Sequence, residues 1–152
     1  MAILLVRHAR AVHEGAGLVD EHRFLSQEGR TQARALGDVL AQTELRVGAF
    51  LTSPLVRAVQ TAELLASQLG FRGSLEASDL LSTHGASRAT TGMLETRAAQ
   101  LALGEVLVAV GHEPSMTSFA GALSGQTRVA SFHTAEAVLI ADGRIEWRLA
   151  AN

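Results

Sequence analysis

The chain has 152 residues, of which 47% are hydrophobic and 18% charged, and its formal net charge is -2. A single domain over residues 1–152 is expected, with a core large enough to need no cross-links. The absence of cysteine excludes disulfides and thiol catalysis, and without a long basic run nothing points to a nucleic-acid partner. No window reaches the ~18 apolar residues of a membrane span, and the apolar start is too short for a signal peptide. We therefore expect a cytoplasmic protein with no membrane partner.

The chain begins with an apolar run at residues 3–6 that stops at Arg7-His8. A short aliphatic run bounded by charge is typical of a buried strand in a parallel sheet. The polar stretch 9–25 is long for a connection, and such loops are usually functional or disordered. Ser26 then predicts the N-cap of a helix that reaches about Gln42. The apolar face of this helix is predicted to consist of Ala33, Leu36, Val39 and Leu40.

A second strand is predicted at 49–52, and it leads into Ser53-Pro54. Serine at the N-cap with proline at the first helical position favours a helix start there, and Gly70 ends this helix. Residues 71–92 are the least regular part, with a possible short strand at 74–76. Another helix is predicted at 93–103.

The clearest strand is 106–110, and it leads through Gly111-His112-Glu113-Pro114 into a helix that reaches about Leu123. Two last strands, 135–141 and 145–149, are separated by an Asp-Gly turn signal and predict a hairpin. Strands alternate with helices up to that point. The predicted fold is therefore α/β, a three-layer sandwich with a mainly parallel central sheet, helices on both faces and a C-terminal hairpin.

Three of the predicted strand-to-helix turns carry side chains that suit phosphate. Arg7 and His8 follow the first strand, Arg57 lies in the opening turn of the second helix, and His112 follows the 106–110 strand. Alone, each of these residues would more often be surface charge or structural. Right-handed crossovers place such turns along one edge of the sheet, however, so all four side chains can meet there. Because guanidinium forks match phosphate oxygens and helix starts favour anions, the sequence predicts an oxyanion pocket.

Four segments resemble, in order, the motifs of the histidine phosphatase (phosphoglycerate mutase-like) superfamily. Residues 4–11 resemble its Arg-His-Gly opening, and 25–33 are similar to its Leu-Thr-x-x-Gly-x-x-Gln-Ala helix start. Residues 53–62 match Ser-Pro-x-x-Arg-Ala-x-Gln-Thr-Ala, and 110–114 match the second-histidine motif. The short length, the alanine after the first histidine and the Gly-His-Glu-Pro segment resemble the small SixA-like phosphohistidine phosphatases in particular.

The resemblance implies a phosphatase that works through a phosphohistidine intermediate, with no cofactor and no metal ion. His8 would attack phosphorus in line while Arg7, Arg57 and His112 bind the three equatorial oxygens, and water would then hydrolyse the phosphohistidine. One nitrogen of His8 must be unprotonated for attack, and a hydrogen bond at the other would fix that tautomer. The implied partner is a phosphorylated protein or a small phosphorylated substrate. We expect the protein to be a monomer.

One departure from the family pattern bears on the substrate. Larger members carry a glutamate after the third strand that protonates the leaving oxygen, whereas residues 77–85 contain none. A positioned acid contributes about 10²–10⁴-fold, and alkoxide leaving groups need it more than an imidazole, which has a pKa near ~6.5. The gap favours phosphohistidine or another activated phosphoryl donor. The alternatives are a small-metabolite phosphomonoesterase with Asp79 or His84 as acid, and a phosphate-binding module without turnover.

The remaining polar candidates receive other interpretations. His13 and His22 lie in the first loop and are expected to be exposed. His133 could approach the pocket, but a structural role is expected. Glu113 is interpreted as an acid at a helix start rather than as a group that orients the neighbouring imidazole. The histidine spacing matches no metal-binding motif.

Overall fold

The computed structural model describes residues 1–13, 15, 17–83 and 87–151. The helices are α1 (Gln27–Ala41), α2 (Val56–Gln68), α3 (Ser87–Ala99) and α4 (Ser115–Ser124). The strands are β1 (Ala2–Arg7), β2 (Arg46–Thr52), β3 (Leu75–Ala77), β4 (Glu105–Gly111), β5 (Glu136–Ala141) and β6 (Arg144–Ala150). Short 3-10 helices lie at Asp20–His22 and Asp79–Leu81. Within the residues described, no helix is both long and apolar enough to cross a bilayer.

The six strands form one sheet in the order β3-β2-β4-β1-β5-β6. The four strands from β3 to β1 run parallel, while β5 is antiparallel to both of its neighbours. Arg7 pairs with Gly111 and Thr52 pairs with Val110, so β1, β2 and β4 end at the same edge. In open α/β sheets this is the edge where ligands bind.

Helices cover both faces of the sheet because the central strands are apolar on both sides. Leu4 and Val6 of β1 share one core with buried residues of α1 and α2, whereas Ile3 and Leu5 share the other with α3 and α4. Continuous apolar runs are what a parallel sheet needs when both faces are buried. The predicted α/β fold with its three layers and mainly parallel sheet is confirmed.

The first helix begins as predicted and packs unusually closely on the second. The Oγ of Ser26 accepts a hydrogen bond from Gly29 N at 3.0 Å, which satisfies one free N–H of the helix start. The predicted apolar face is wrong at Val39, which is 37% exposed. Gly37 is buried instead, and a Cβ built there would lie 2.7 Å from Gln68 Cβ. The two helices therefore meet on the side of α1 that carries this glycine.

The second helix begins two residues later than its serine and proline predict. It starts at Val56 rather than Pro54, and no side chain caps it. The N-cap is Leu55 rather than Ser53. The Oγ of Ser53 accepts from Leu55 N at 3.2 Å and lies 2.8 Å from His112 Nε2. The hydroxyl that suggested a cap therefore serves the site described below.

The third helix spans Ser87–Ala99 rather than 93–103. Its buried stripe follows a four-residue spacing through Thr90, Leu94 and Ala98. Because the stripe begins with a threonine, apolar periodicity does not reveal the first turns of the helix.

The C-terminal hairpin is confirmed together with its turn. Asp142 and Gly143 have φ values of 51° and 75°. Positive φ at both central residues is what a type I′ turn requires, and it explains the Asp-Gly pair.

Candidate active site

His8 and His112 lie side by side at the edge where β1 and β4 end. His8 N donates to Gly111 O at 3.0 Å and Ser53 N donates to Val110 O at 2.9 Å, so the hydrogen bonding continues just beyond the strands. The centroids of the two imidazoles are 5.0 Å apart and their planes are inclined by 59°. The strand ends thus fix the backbone that carries both rings.

A cavity of about 290 Å³ opens at this edge. Its walls include all four residues that the sequence predicts for the site, namely Arg7, His8, Arg57 and His112. The other lining residues are Arg10, Ala11, Arg23, Thr83, Glu113 and Thr134. Three separate turns therefore converge on one space with a strong excess of positive charge.

The contacts of His8 fix its tautomer. Its Nδ1 lies 2.7 Å from the carbonyl oxygen of Ala9, which can only accept, so we assign the proton to Nδ1 and leave Nε2 unprotonated. Burial lowers the pKa of His8 from 6.5 to about 4, and the charges of Arg57 and Arg7 act in the same direction, while the hydrogen bond to Ala9 opposes them. At neutral pH the side chain thus presents a nitrogen lone pair, as a nucleophile requires.

His112 has the same tautomer, but a different nitrogen remains without a partner. Ser53 Oγ accepts from Leu55 N, so its hydroxyl hydrogen is available for His112 Nε2, 2.8 Å away. We therefore assign the ring proton to Nδ1. Burial, followed by the charges of His8 and Arg57, lowers the pKa of His112 to about 3. His112 accordingly offers one N–H as a neutral donor.

The two predicted arginines are held by backbone carbonyls. Arg7 Nη1 donates to Phe132 O at 2.8 Å. Arg57 is 3% exposed, and it donates through Nη1 to Asp20 O at 2.8 Å and through Nη2 to Asp20 Oδ2 at 3.2 Å. These bonds set the orientation of both guanidiniums without using all of their donors.

Three buried nitrogens at this site have no hydrogen-bond partner among the described residues. They are Arg7 Nε, Arg57 Nε and His112 Nδ1. Leaving a buried donor unpaired costs about 1–3 kcal/mol, so three around one cavity are best explained by a ligand rich in acceptors. Such donors match the acceptor oxygens of an oxyanion.

Sequence reasoning missed two residues of the first loop, Asp20 and Arg23. Arg23 lines the cavity, and its Nε donates to Asp20 Oδ1 at 2.9 Å. Burial would raise the pKa of Asp20, but hydrogen bonds and charges from Arg23 and Arg57 hold it below its ordinary value. A carboxylate and an arginine three residues apart in an overlong loop were the signal that could have found this pair.

Glu113 influences the position of Arg7 rather than that of the neighbouring His112 imidazole. Its Oε1 accepts from Thr117 N at 2.8 Å, as expected for an acid at a helix start, and its Oε2 accepts from Thr117 Oγ1 at 2.6 Å. Oε2 also accepts from Phe132 N at 3.0 Å. The same Phe132 supplies the carbonyl that holds Arg7, so Glu113 positions Arg7 through the backbone.

Asp79, one candidate for a general acid, lies away from the cavity. It is exposed in a 3-10 helix and is not a lining residue. Among the described residues of that segment, Thr83 reaches the walls. His84 lies outside the described residues.

The remaining histidines lie at the surface. His13 and His22 are exposed, as predicted. His133 is also exposed, and it lines a second cavity that shares Arg7 with the first. Its imidazole therefore lies at the surface close to the first cavity, and the structural role expected for it stays a prediction.

Nothing in the described part of the chain resembles a metal centre. There, no group of three or more histidine, aspartate or glutamate side chains lies close enough to hold a metal ion. A larger cleft of about 680 Å³ runs beside α1, but Glu28 is the charged residue among its walls. The chemically equipped cavity is the smaller one at the strand ends.

Comparisons with known proteins agree with this placement. A family model described as "Histidine phosphatase superfamily (branch 1)" matches residues 3–84. An uncharacterized protein of Picosynechococcus sp. is 35% identical over 134 residues, which cover 84% of this chain and 76% of that protein. The family match takes in the first three motifs, while the segment with His112 lies beyond it and is placed by the structure.

Three solved structures share the fold. The protein histidine phosphatase SixA complexed with tungstate is similar with a TM-score of 0.90 and 21% identity, over 99% of this chain and 97% of that one. A proposed phosphohistidine phosphatase SixA from Agrobacterium tumefaciens gives 0.83 and 22%, over 98% and 97%. A mycobacterial glucosyl-3-phosphoglycerate phosphatase in complex with VO3 gives 0.74 and 16%, over 99% and 97%. At these identities the likeness establishes the fold alone.

Proposed function

This chain belongs to the histidine phosphatase superfamily (branch 1), and on that basis we propose that it is a phosphatase that forms a phosphohistidine on His8. We propose further that its substrate is phosphohistidine or another activated phosphoryl donor. The observation that carries the proposal is the set of unpaired buried donors on three residues that line the same cavity as His8, whose Nε2 is unprotonated. Two of the similar structures are complexes with tungstate and with VO3, which supports an oxyanion as the ligand of this fold.

The reaction follows from the protonation of the two rings, since His8 has a free lone pair on Nε2 and His112 has a free N–H at Nδ1. The phosphoryl oxygens accept hydrogen bonds from Arg7 Nε, Arg57 Nε and His112 Nδ1, which neutralise the charge that builds up during transfer. His8 Nε2 forms a bond to phosphorus while the bond from phosphorus to the substrate nitrogen breaks. The leaving imidazole takes a proton from solvent. Water then attacks the phosphorus on His8, which releases inorganic phosphate and restores the free imidazole.

The surroundings of the cavity favour a leaving group that needs no enzyme acid. Glu113 is the carboxylic side chain among the described lining residues, and both of its oxygens accept hydrogen bonds from Thr117 or Phe132. Asp79 is not a lining residue. An alkyl phosphate would have to expel a poor leaving group without the ~10²–10⁴-fold assistance of a positioned acid, whereas an imidazole would not.

The first test is to trap the intermediate. After brief exposure to phosphoramidate and acid-free quenching, we expect acid-labile phosphate on His8 of the wild type and of a matched His13→Ala variant. His8→Ala should carry no label and should lose at least about 10³-fold in turnover, because the nucleophile is gone. Full activity of His8→Ala, or label on another residue, would overturn the proposal.

The second test compares leaving groups in the presence and absence of a chelator. Phosphohistidine peptide and phosphoramidate should be hydrolysed far faster than alkyl phosphates, and the chelator should have no effect. A preference for alkyl phosphates that disappears in Asp79→Asn would instead indicate a small-metabolite phosphomonoesterase. Tight binding of phosphohistidine peptide without phosphate release would indicate a binding module.

A further inference from the structure

A second cavity of about 500 Å³ continues from the phosphate site. The two cavities share Arg7, Arg10 and Thr134 as walls. The second one extends along the end of β6, and its other lining residues are Gln32, His133, Ala150 and Ala151. A substrate whose phosphoryl group lies against His8 can therefore place its adjoining atoms in this cleft.

The walls of this cleft carry positive charge without a carboxylate among the described lining residues. Arg10 and His133 are both exposed, and Arg7 forms the border with the phosphate site. Two neighbouring acidic residues make their contacts outside the cleft. Glu28 pairs with Arg10 through Nη1 at the exposed rim, and Glu136 accepts from His133 N and from Arg148.

The cleft is held in shape before any ligand arrives. Gln32 accepts a hydrogen bond from Arg10 N through Oε1 and donates through Nε2 to Thr134 Oγ1, both at 3.0 Å. One side chain of α1 thus joins the loop after β1 to the segment before β5. A rigid cationic cleft loses little ordering entropy when an anion binds.

We propose that this cleft binds a carboxylate of the substrate, supplied by an acidic side chain that flanks the phosphorylated histidine of a polypeptide. The inference rests on the proposed function and adds to it the chemistry of the substrate beside the phosphoryl group. Guanidinium and imidazole donors match a carboxylate, and the cleft continues beyond the phosphate site, where a chain that continues past the histidine would lie.

Binding of peptides tests the inference independently of turnover. The probes carry a hydrolysis-resistant phosphohistidine analogue, with one glutamate moved through the flanking positions and glutamine in the matched peptides. At the favoured position, glutamate should bind the wild type about 3- to 10-fold more tightly than glutamine, and the preference should shrink as salt rises. Equal affinity for both at every position would refute the inference.

Variants then assign the preference to the cleft. His133→Gln should remove most of the glutamate preference while phosphoramidate turnover stays at the wild-type level, and Arg10→Gln should weaken the preference as well. His22→Gln, a matched surface control, should retain it. A preference that survives both cleft substitutions would also refute the inference.

The same experiments distinguish a carboxylate on a polypeptide from one on a small molecule. They also distinguish a failure of the cleft assignment from a failure of the proposed phosphatase function. Stronger discrimination for a small carboxylated phosphate, with none between the peptides, would overturn the polypeptide assignment. If glutamate preference appears in binding but the wild type forms no phospho-His8, the proposed function fails and the cleft assignment stands. If phospho-His8 forms and the peptides bind alike, only the cleft assignment fails.

Discussion

The carboxylate of Asp20 gives the anion site an internal competitor. It contacts Arg57 at 3.2 Å and Arg23 at 2.9 Å, so it compensates positive charge that would otherwise lie buried and unpaired. The same negative charge lowers the attraction of the cavity for phosphate. Asp20 therefore positions two arginines while it weakens the affinity of the cavity for any oxyanion.

We expect Asp20→Asn to bind inorganic phosphate about 2- to 5-fold more tightly, because the competing charge disappears while the amide oxygen can still accept from the arginines. Titration calorimetry at low ionic strength measures this directly, and the gain should shrink at high salt. Asp79→Asn removes an exposed carboxylate outside the cavity and should change nothing. Weaker binding by Asp20→Asn would mean that positioning of Arg57 outweighs the charge effect.

The residues that sequence reasoning found differ from those it missed in how they are placed. Arg7, His8 and His112 lie at strand ends, where the topology of a parallel sheet alone brings side chains together. Asp20 and Arg23 lie in an irregular loop, and no periodicity predicts the path of such a loop across the cavity. Their role becomes visible only through their hydrogen bonds.

Among the elements, α1 depends on a close backbone approach at Gly29. A Cβ built on this residue would lie 1.9 Å from Arg10 O. The same carbonyl accepts from Ser26 N at 3.0 Å, so the start of the helix is bound to the loop that follows His8. Only glycine fits here, which gives a packing reason for the glycine in this motif.

We expect Gly29→Ala to lower the free energy of unfolding by about 1–3 kcal/mol, since the new methyl group meets backbone that can yield only if α1 or the loop moves. Turnover should fall as well, because that loop directly follows His8. The matched substitution is Gly92→Ala in α3, where nothing lies within 4 Å of the added Cβ. It should stabilise the protein by up to about 1 kcal/mol through helix propensity. Urea unfolding measures both, and equal effects would contradict the packing argument.

The elements that the sequence predicts correctly are those with an uninterrupted apolar run or a clear turn signal. β4 and the C-terminal hairpin were predicted because uninterrupted apolar runs and an Asp-Gly turn carry their own signals. α3 was misplaced because Thr90 begins its buried stripe. α2 was predicted to start too early because Ser53, a good cap by type, lies two residues before the N-cap Leu55, and its hydroxyl contacts both Leu55 N and His112.

At the scale of the whole molecule, two buried neutral histidines make folding depend on pH. Burial lowers the pKa of His8 to about 4 and that of His112 to about 3, from 6.5. Below 6.5 the unfolded chain binds protons that the folded chain does not. Stability therefore rises with pH in this range, and the contribution is fully present above 6.5 and lost as pH falls towards the folded values.

The carboxylates act in a lower range of pH. Burial alone would raise the pKa of Asp20 and of Glu136, but hydrogen bonds and charges from their arginine partners lower both pKa values overall. A hydrogen bond from Arg97 lowers the pKa of Glu76. All three start from ordinary values of 3.8 or 4.5. Their stabilising contribution is therefore lost mainly below about 4.5, which leaves the interval from 6.5 to 4.5 to the two histidines.

We expect the free energy of unfolding to fall by on the order of 4 kcal/mol between pH 6.5 and 4.5, because the unfolded chain gains up to two protons that the folded chain excludes. Urea denaturation in phosphate-free buffer measures the fall, since phosphate would bind the folded state and mask it. In His8→Gln with His112→Gln the slope should flatten across this interval. Imidazole NMR signals of both rings in the wild type should not titrate near pH 6.5. An unchanged slope in the double variant would show that other groups carry the pH dependence.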